Sequence, residues 1–132
     1  MASPTGGELA AHVAQLQEDL LRFALSLPEA WEDHPWGHPV AKVRQKVFLF
    51  LGGTEEDPGM DVKLPFSADH ALSIPESSPT GYGMGRHGWA HLRLRLPSPP
   101  LPPLEVLTDW VEESYRAVAP KALVAKLLAD QG

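Results

Sequence analysis

The 132-residue sequence contains no cysteine, and this absence excludes several kinds of chemistry. Disulfide bonds, thiolate catalysis, iron–sulfur clusters and cysteine-type zinc sites all require that residue. The sequence also lacks any apolar run near the roughly 20 residues that cross a bilayer, so we expect no association with a membrane. Because Met1 to Thr5 include no basic residue and no apolar segment follows them, we expect no secretory signal and a cytoplasmic location.

An excess of basic residues is also missing, since the formal net charge is −6. This balance argues against a protein that wraps nucleic acid through bulk electrostatics. The charges are unevenly distributed, however, because residues 1–41 hold one basic and six acidic residues, whereas residues 42–95 hold seven basic and six acidic ones. The acidic residues of that middle region lie in predicted loops, and its basic residues lie in predicted strands and turns. Any contact with DNA is therefore expected to be local.

Hydrophobic periodicity predicts one domain, residues 1–132, with an α+β fold of two layers. Thr5 to Glu8 has the spacing of a capping box, and apolar residues then recur every three or four positions, which predicts an amphipathic helix ending before Pro28. Glu29 to Pro39 reads as a connection, and Ser67 as the cap of a short helical turn. An antiparallel sheet of about five strands and C-terminal helices from Pro103 onwards complete the prediction. The predicted strands are 40–43, 47–51, 61–64, 82–85 and 89–96.

Gly83 to Gly88 matches the G-x-G-x-x-G pattern of a dinucleotide-binding turn. That pattern has a mechanism only where a helix follows, because the helix N-terminus holds the pyrophosphate. Trp89 to Leu96 alternates with a period of two, which predicts a strand instead. We therefore expect a glycine-rich hairpin tip and no bound dinucleotide.

Five short segments of the sequence are distinctive when they are taken together. They are Pro35-Trp36-Gly37, Lys46-Val47-Phe48, Val62-Lys63-Leu64, the run from Pro79 to Trp89, and Ser114-Tyr115. Over about Leu20 to Leu128, this set resembles the MmcQ/YjbR family. The resemblance implies a CyaY-like (frataxin-like) α/β sandwich and a "double wing" DNA-binding motif. The family pattern frequently has lysine where this sequence has Arg86, a change that keeps the charge.

The candidate DNA contacts are six of the seven basic side chains of the middle region and one histidine. They are Lys42, Arg44, Lys46, Arg86, His87, Arg93 and Arg95. In a double wing, the two tips would be Arg44-Gln45-Lys46 and Arg86-His87-Gly88, because short cationic tips can follow phosphates or enter a minor groove. We therefore predict a non-catalytic DNA-binding module. The alternative is a protein- or small-ligand-interaction domain without nucleic-acid binding.

Four large aromatic residues, Trp36, Trp89, Trp110 and Tyr115, are expected to pack in the core. Trp89 leaves two interpretations open, because it shares a strand face with His91, Arg93 and Arg95. Either the chain near Pro75 to Pro79 covers this face, or the indole lies partly exposed beside a basic patch on which single-stranded nucleic acid would stack.

The histidines and serines show no arrangement typical of a metal or catalytic site. Pro35 and Gly37 prevent the helix that would bring His34 and His38 together, and His87 and His91 are expected to diverge. Frataxins bind iron through acidic residues on and near the first helix, but we expect the acidic residues there in this sequence to form a solvated surface. No serine lies in a motif that supplies an adjacent base. We therefore expect a monomer with no metal, no cofactor and no enzymatic activity.

Overall fold

The computed structural model describes residues 6–53, 58–75, 77–94 and 102–131. The helices are α1 (Gly6–Leu25), α2 (Ala68–Leu72), α3 (Leu104–Val118) and α4 (Lys121–Gln131), and a 3-10 turn covers Met84–His87. The strands are β1 (Ala30–Asp33), β2 (Val40–Val43), β3 (Lys46–Gly53), β4 (Pro58–Lys63), β5 (Ser78–Pro79) and β6 (Trp89–Arg93). The predicted α+β class is confirmed. Within these ranges, no helix has the length and apolarity needed to cross a membrane.

The sheet is antiparallel, in the order β1-β2-β3-β4-β6-β5. β3 is an interior strand, and residues 47–51 within it are apolar throughout, as a strand covered on both faces requires. The helices pack on one face, since buried side chains of all four helices and of one face of the sheet form a single hydrophobic cluster. In α3 the buried stripe is Leu107, Trp110, Val111, Ser114 and Tyr115. On the opposite face of the sheet, which we call the open face, side chains such as Phe50, Asp61 and His91 are only half-buried.

The core between the two layers is built around aromatic contacts of α3. The Tyr115 ring meets the ring of Phe48 edge-on, with 5.2 Å between centroids. Trp110 is buried as predicted and meets the imidazole of His70 in the same edge-on geometry. Both aromatic residues of α3 therefore hold the helix layer against the sheet and its flanking segment.

Ser114 is the buried polar residue of this core, and it ties α3 to two strands. Its Oγ donates to the carbonyl oxygen of Phe48 at 2.6 Å and accepts from the backbone N–H of Lys63 at 2.8 Å. The β3–β4 ladder ends at the pair Phe50 and Asp61. Phe48 and Lys63 each lie two residues beyond that pair. The serine hydroxyl therefore takes the place of a ladder bond between the strands.

The sheet has a sixth strand that the sequence analysis missed. β1 lies inside the predicted connection Glu29 to Pro39 and pairs with β2, from Ala30 opposite Val43 to Asp33 opposite Val40. This strand is short and its side chains are mostly exposed, so it lacks the apolar alternation that marks a half-buried strand.

The predicted strand 82–85 is wrong. Tyr82 and Gly83 have φ angles of 59° and 76°, which no strand accommodates, and the chain continues into the 3-10 turn. The strand that pairs with β6 on this side is β5, where Ser78 lies opposite His91. β6 itself ends at Arg93, earlier than the predicted Leu96, which lies outside the described residues.

The helix caps also differ from the sequence prediction. Ser67 precedes α2 but makes no side-chain cap bond. Instead its Oγ donates to Glu113 of α3 at 2.7 Å, and the same carboxylate accepts the backbone N–H groups of Phe66 and Ser67 at 3.0 Å. A carboxylate of α3 therefore anchors the chain where it enters α2. The capping box predicted at Thr5 includes a residue outside the described ranges.

Candidate nucleic-acid interface

The first predicted tip is the two-residue turn between β2 and β3. It is formed by Arg44 and Gln45, because Val43 and Lys46 are already paired. Arg44 has a φ of 56°, an unfavourable conformation for a side-chain-bearing residue, and its carbonyl oxygen accepts a hydrogen bond from Nε1 of Trp31 at 2.9 Å. The Arg44 guanidinium lies 3.3 Å from the carboxylate of Glu29. The indole and the carboxylate therefore hold the tip in a strained conformation.

The second predicted tip is the segment between β5 and β6. Arg86 and His87 are exposed within the 3-10 turn, whose flanking glycines, Gly83 and Gly88, have φ angles of 76° and 88°. Glycine is the residue that adopts such angles without strain. The carbonyl oxygen of Gly88 accepts a hydrogen bond from the backbone N–H of Leu64 at 2.7 Å, which fixes the turn to the end of β4. As predicted, a strand follows these glycines, so the pattern lacks the helix that a dinucleotide needs.

Strand register brings the two tips to the same end of the sheet. β3 begins at Lys46, next to the first tip, and the antiparallel β4 ends at Lys63 on that side. Lys63 is paired with Trp89, the first residue of β6, which directly follows the second tip. Since β4 alone separates β3 from β6, the two strands that follow the tips are about 10 Å apart at the usual strand spacing. Among the described residues, Lys46, Arg86 and His87 are exposed and make no ion pair.

The other three candidates are placed differently. The Lys42 ammonium lies on the open face, 2.7 Å from the carboxylate of Asp33 and 5.1 Å from the centre of the Trp31 ring. The hydrogen bond from Lys42 holds the pKa of Asp33 below its usual value. Arg93 pairs with Gly59 at the opposite end of β6 from the tips. Arg95 lies outside the described residues.

The open face carries aromatic side chains next to the cationic end of the sheet, which is the end where the two basic tips lie. Trp89 is half-buried, with its ring edge-on to Phe50 at 5.5 Å between centroids, so this face is partly covered and partly accessible. Trp36 was expected in the core, and this expectation is wrong, because 72% of the residue is exposed. Its ring stacks over Phe50, at 6.3 Å and 21°. Pro35 and Gly37 place it in a turn outside the strands, which explains its exposure.

Two residues of this region escaped the sequence analysis. Lys63 belonged to no predicted tip, and only the register of β4 against β6 shows that it lies at the cationic end. Trp31 fell inside the predicted connection. Ala30-Trp31-Glu32-Asp33 lacks the period-two alternation that would have identified a strand.

Histidine and carboxylate side chains are the potential metal ligands of this chain. Over the part of the chain that the structure describes, no three histidine, aspartate or glutamate side chains converge in a way that could hold a metal ion. His34 instead pairs with Glu32 at 2.9 Å, and His91 lies 3.0 Å from Asp61.

A six-stranded antiparallel sheet with helices on one face and basic turns at one end defines a two-layer α+β sandwich. The family model described as YjbR matches residues 25–117 of the sequence, which is more than half of the chain. The protein therefore belongs to the YjbR family, and the resemblance noted from its motifs is confirmed. Among curated proteins, no match was found.

Proposed function

We propose that this protein is a non-catalytic DNA-binding module whose two wings are the Arg44–Gln45–Lys46 turn and the Arg86–His87–Gly88 segment. The observation that carries the proposal is the strand register, because it sets both tips at one end of the sheet. The strands that follow the two tips are about 10 Å apart, on the scale of the groove widths of B-DNA, about 6 and 12 Å. Such an arrangement suits contacts with phosphates on either side of one groove.

The charges of the molecule fit local contact better than wrapping. With a net charge of −6, the protein as a whole repels DNA, so binding depends on cations that stand away from acidic side chains. Lys46 and Arg86 are such cations among the described residues, whereas Arg44 forms an ion pair with Glu29. Backbone contacts of this kind position a protein on DNA but carry little sequence information. We therefore expect weak dependence on sequence.

The test is fluorescence anisotropy with short DNA duplexes over a range of salt concentrations. Four basic residues lie at this end of the sheet: Arg44, Lys46, Lys63 and Arg86. Four phosphate contacts give a slope of about −3.6 in a plot of log affinity against log salt. Lys46→Ala or Arg86→Ala should weaken binding to all sequences alike and make the slope less steep by about one unit.

Lys126→Ala is the matched control, since Lys126 is an exposed lysine on α4 outside the sheet. It removes the same charge and should leave the slope within error of that of the unaltered protein. Absence of binding at tens of micromolar protein in about 50 mM salt would rule out the wings. The same conclusion follows if the tip variants bind as the Lys126→Ala control does. The chain would then be an interaction domain without nucleic-acid binding.

A further inference from the structure

The open face of the sheet carries a cleft between two loops. One wall comes from the turn around Trp36 and His38, and the other from residues 80–84, which lead into the 3-10 turn. The cleft has a volume of about 730 Å³, within the range of sites that enclose small molecules. Phe50, Asp61 and His91, on three adjacent strands, form its floor.

The walls present aromatic rings that the core does not use. Trp36 lines the cleft and stacks on Phe50, and it is mostly exposed, so much of its ring is accessible to a ligand. Tyr82 is fully exposed and has a φ of 59°, a conformation that costs about 1–2 kcal/mol for a residue with a side chain. Strained backbone that displays an exposed ring is a pattern found at ligand sites.

The floor of the cleft is polar and ordered. Oδ2 of Asp61 accepts a hydrogen bond from the hydroxyl of Thr80 at 2.8 Å, and its Oδ1 lies 3.0 Å from Nδ1 of His91. The imidazole rests directly on Gly59, where a Cβ atom would come within 2.5 Å of its Cε1 atom. A carboxylate has several lone-pair positions, and Asp61 lines the cleft, so these two contacts leave it able to accept a further hydrogen bond.

We propose that this cleft binds an uncharged planar heteroaromatic molecule that carries an amino or ring N–H donor. The rings of Trp36 and Tyr82 offer stacking surfaces, and Asp61 offers an acceptor at the floor. The described residues that line the cleft include Asp61 but no lysine or arginine, an arrangement that favours an uncharged ligand over an anionic one. The apolar walls disfavour any charged group that loses its hydration.

Adenosine is the probe, because it is uncharged and has an amino group on a planar ring system. Two-dimensional ¹H–¹⁵N NMR should show shifts concentrated at the backbone amides of Phe50, Asp61, Thr80 and Tyr82. A Kd on the order of 100 µM is expected for a molecule of this size. Purine ribonucleoside, which lacks the amino group, should bind about tenfold more weakly.

Two variants test the walls and the floor separately. Trp36→Ala removes a stacking surface and Asp61→Asn weakens the acceptor, and each should raise the Kd of adenosine about tenfold. Phe66→Ala is the matched control, since Phe66 is 89% exposed but does not line the cleft. If Asp61→Asn disturbs the fold, Trp36→Ala still tests the site because it removes an exposed side chain.

Three results would overturn the proposal: no shifts at about 5 mM adenosine, equal affinity for purine ribonucleoside, or a Trp36→Ala variant that binds like the Phe66→Ala control. The site is independent of the proposed wings. Lys46 does not line the cleft, so Lys46→Ala should leave adenosine binding unchanged while it weakens DNA binding.

Discussion

The phenol of Tyr115 is a fully buried group that links α3 to the segment after α1. Its Oη donates to the carbonyl oxygen of Pro28 at 2.7 Å. Burial raises the pKa of Tyr115 above its ordinary value of 10.0, and the negative charge of Glu29 raises it further, whereas Arg44 lowers it. The side chain therefore stabilises the folded state only while it keeps its proton.

Tyr115→Phe should lower the free energy of unfolding by about 1 kcal/mol near pH 7, because it removes this hydrogen bond. The folded-state pKa is raised, so the contribution of the phenol is fully present below about pH 10 and is lost as the pH rises through the folded value. Urea unfolding of both proteins at several pH values measures the difference. It should stay constant from neutral pH to about pH 9 and shrink above about pH 10. A difference that stays constant at high pH would contradict the raised pKa.

Single residues also show where sequence reasoning is reliable. Trp110 and Tyr115 repeat at helical spacing with the buried residues Leu107 and Val111, and both aromatic residues are buried as expected. Trp36 has no such periodic neighbours, and residue type alone predicted its burial wrongly. An aromatic ring is thus predictably buried when its element is periodic, because the same stripe packs as one unit.

At the scale of elements, the long periodic helices and the apolar strands were predictable, and the short edge strands were not. β2, β3 and α3 follow the expected segments closely. β1 and β5 are short edge strands whose side chains are mostly exposed, so their pairing depends on a neighbouring strand and leaves little trace in the sequence.

Ser114 tests how elements are joined, because its hydroxyl bridges β3 and β4 from α3. Ser114→Ala would leave the carbonyl of Phe48 and the N–H of Lys63 without this partner. We expect a loss of about 2–4 kcal/mol in the free energy of unfolding, from two unsatisfied backbone groups. Chemical denaturation measures this loss.

Ser73→Ala is the control for this experiment. The Ser73 hydroxyl donates to the carbonyl of His70 at 2.6 Å within the same exposed turn, so its removal should cost less than about 0.5 kcal/mol. If the two serine variants were equally stable, the bridge would carry no stabilising role.

At the scale of the whole molecule, the candidate interface was only partly accessible from the sequence. The composition indicated which cations to consider, and the turns placed Lys46, Arg86 and His87 at exposed tips. That both tips share one end of the sheet depends on β6 pairing with β4, some 30 residues away along the chain. The cleft could not be predicted from the sequence either, since Trp36, Asp61 and Tyr82 come together only through the strand order.

The hydroxyl of Ser114, which bridges β3 and β4, affects how the chain folds. Its hydrogen bonds join residues 66 and 51 positions apart in the sequence, so the gap between β3 and β4 cannot close until α3 has docked. Contacts of such long range slow folding, because chain entropy is lost before they form. A fragment that ends at residue 101 should therefore fail to reach the native sheet, and its ¹H–¹⁵N spectrum should show the narrow dispersion of an unfolded chain. A well-dispersed spectrum from that fragment would mean that the strands assemble without the helix.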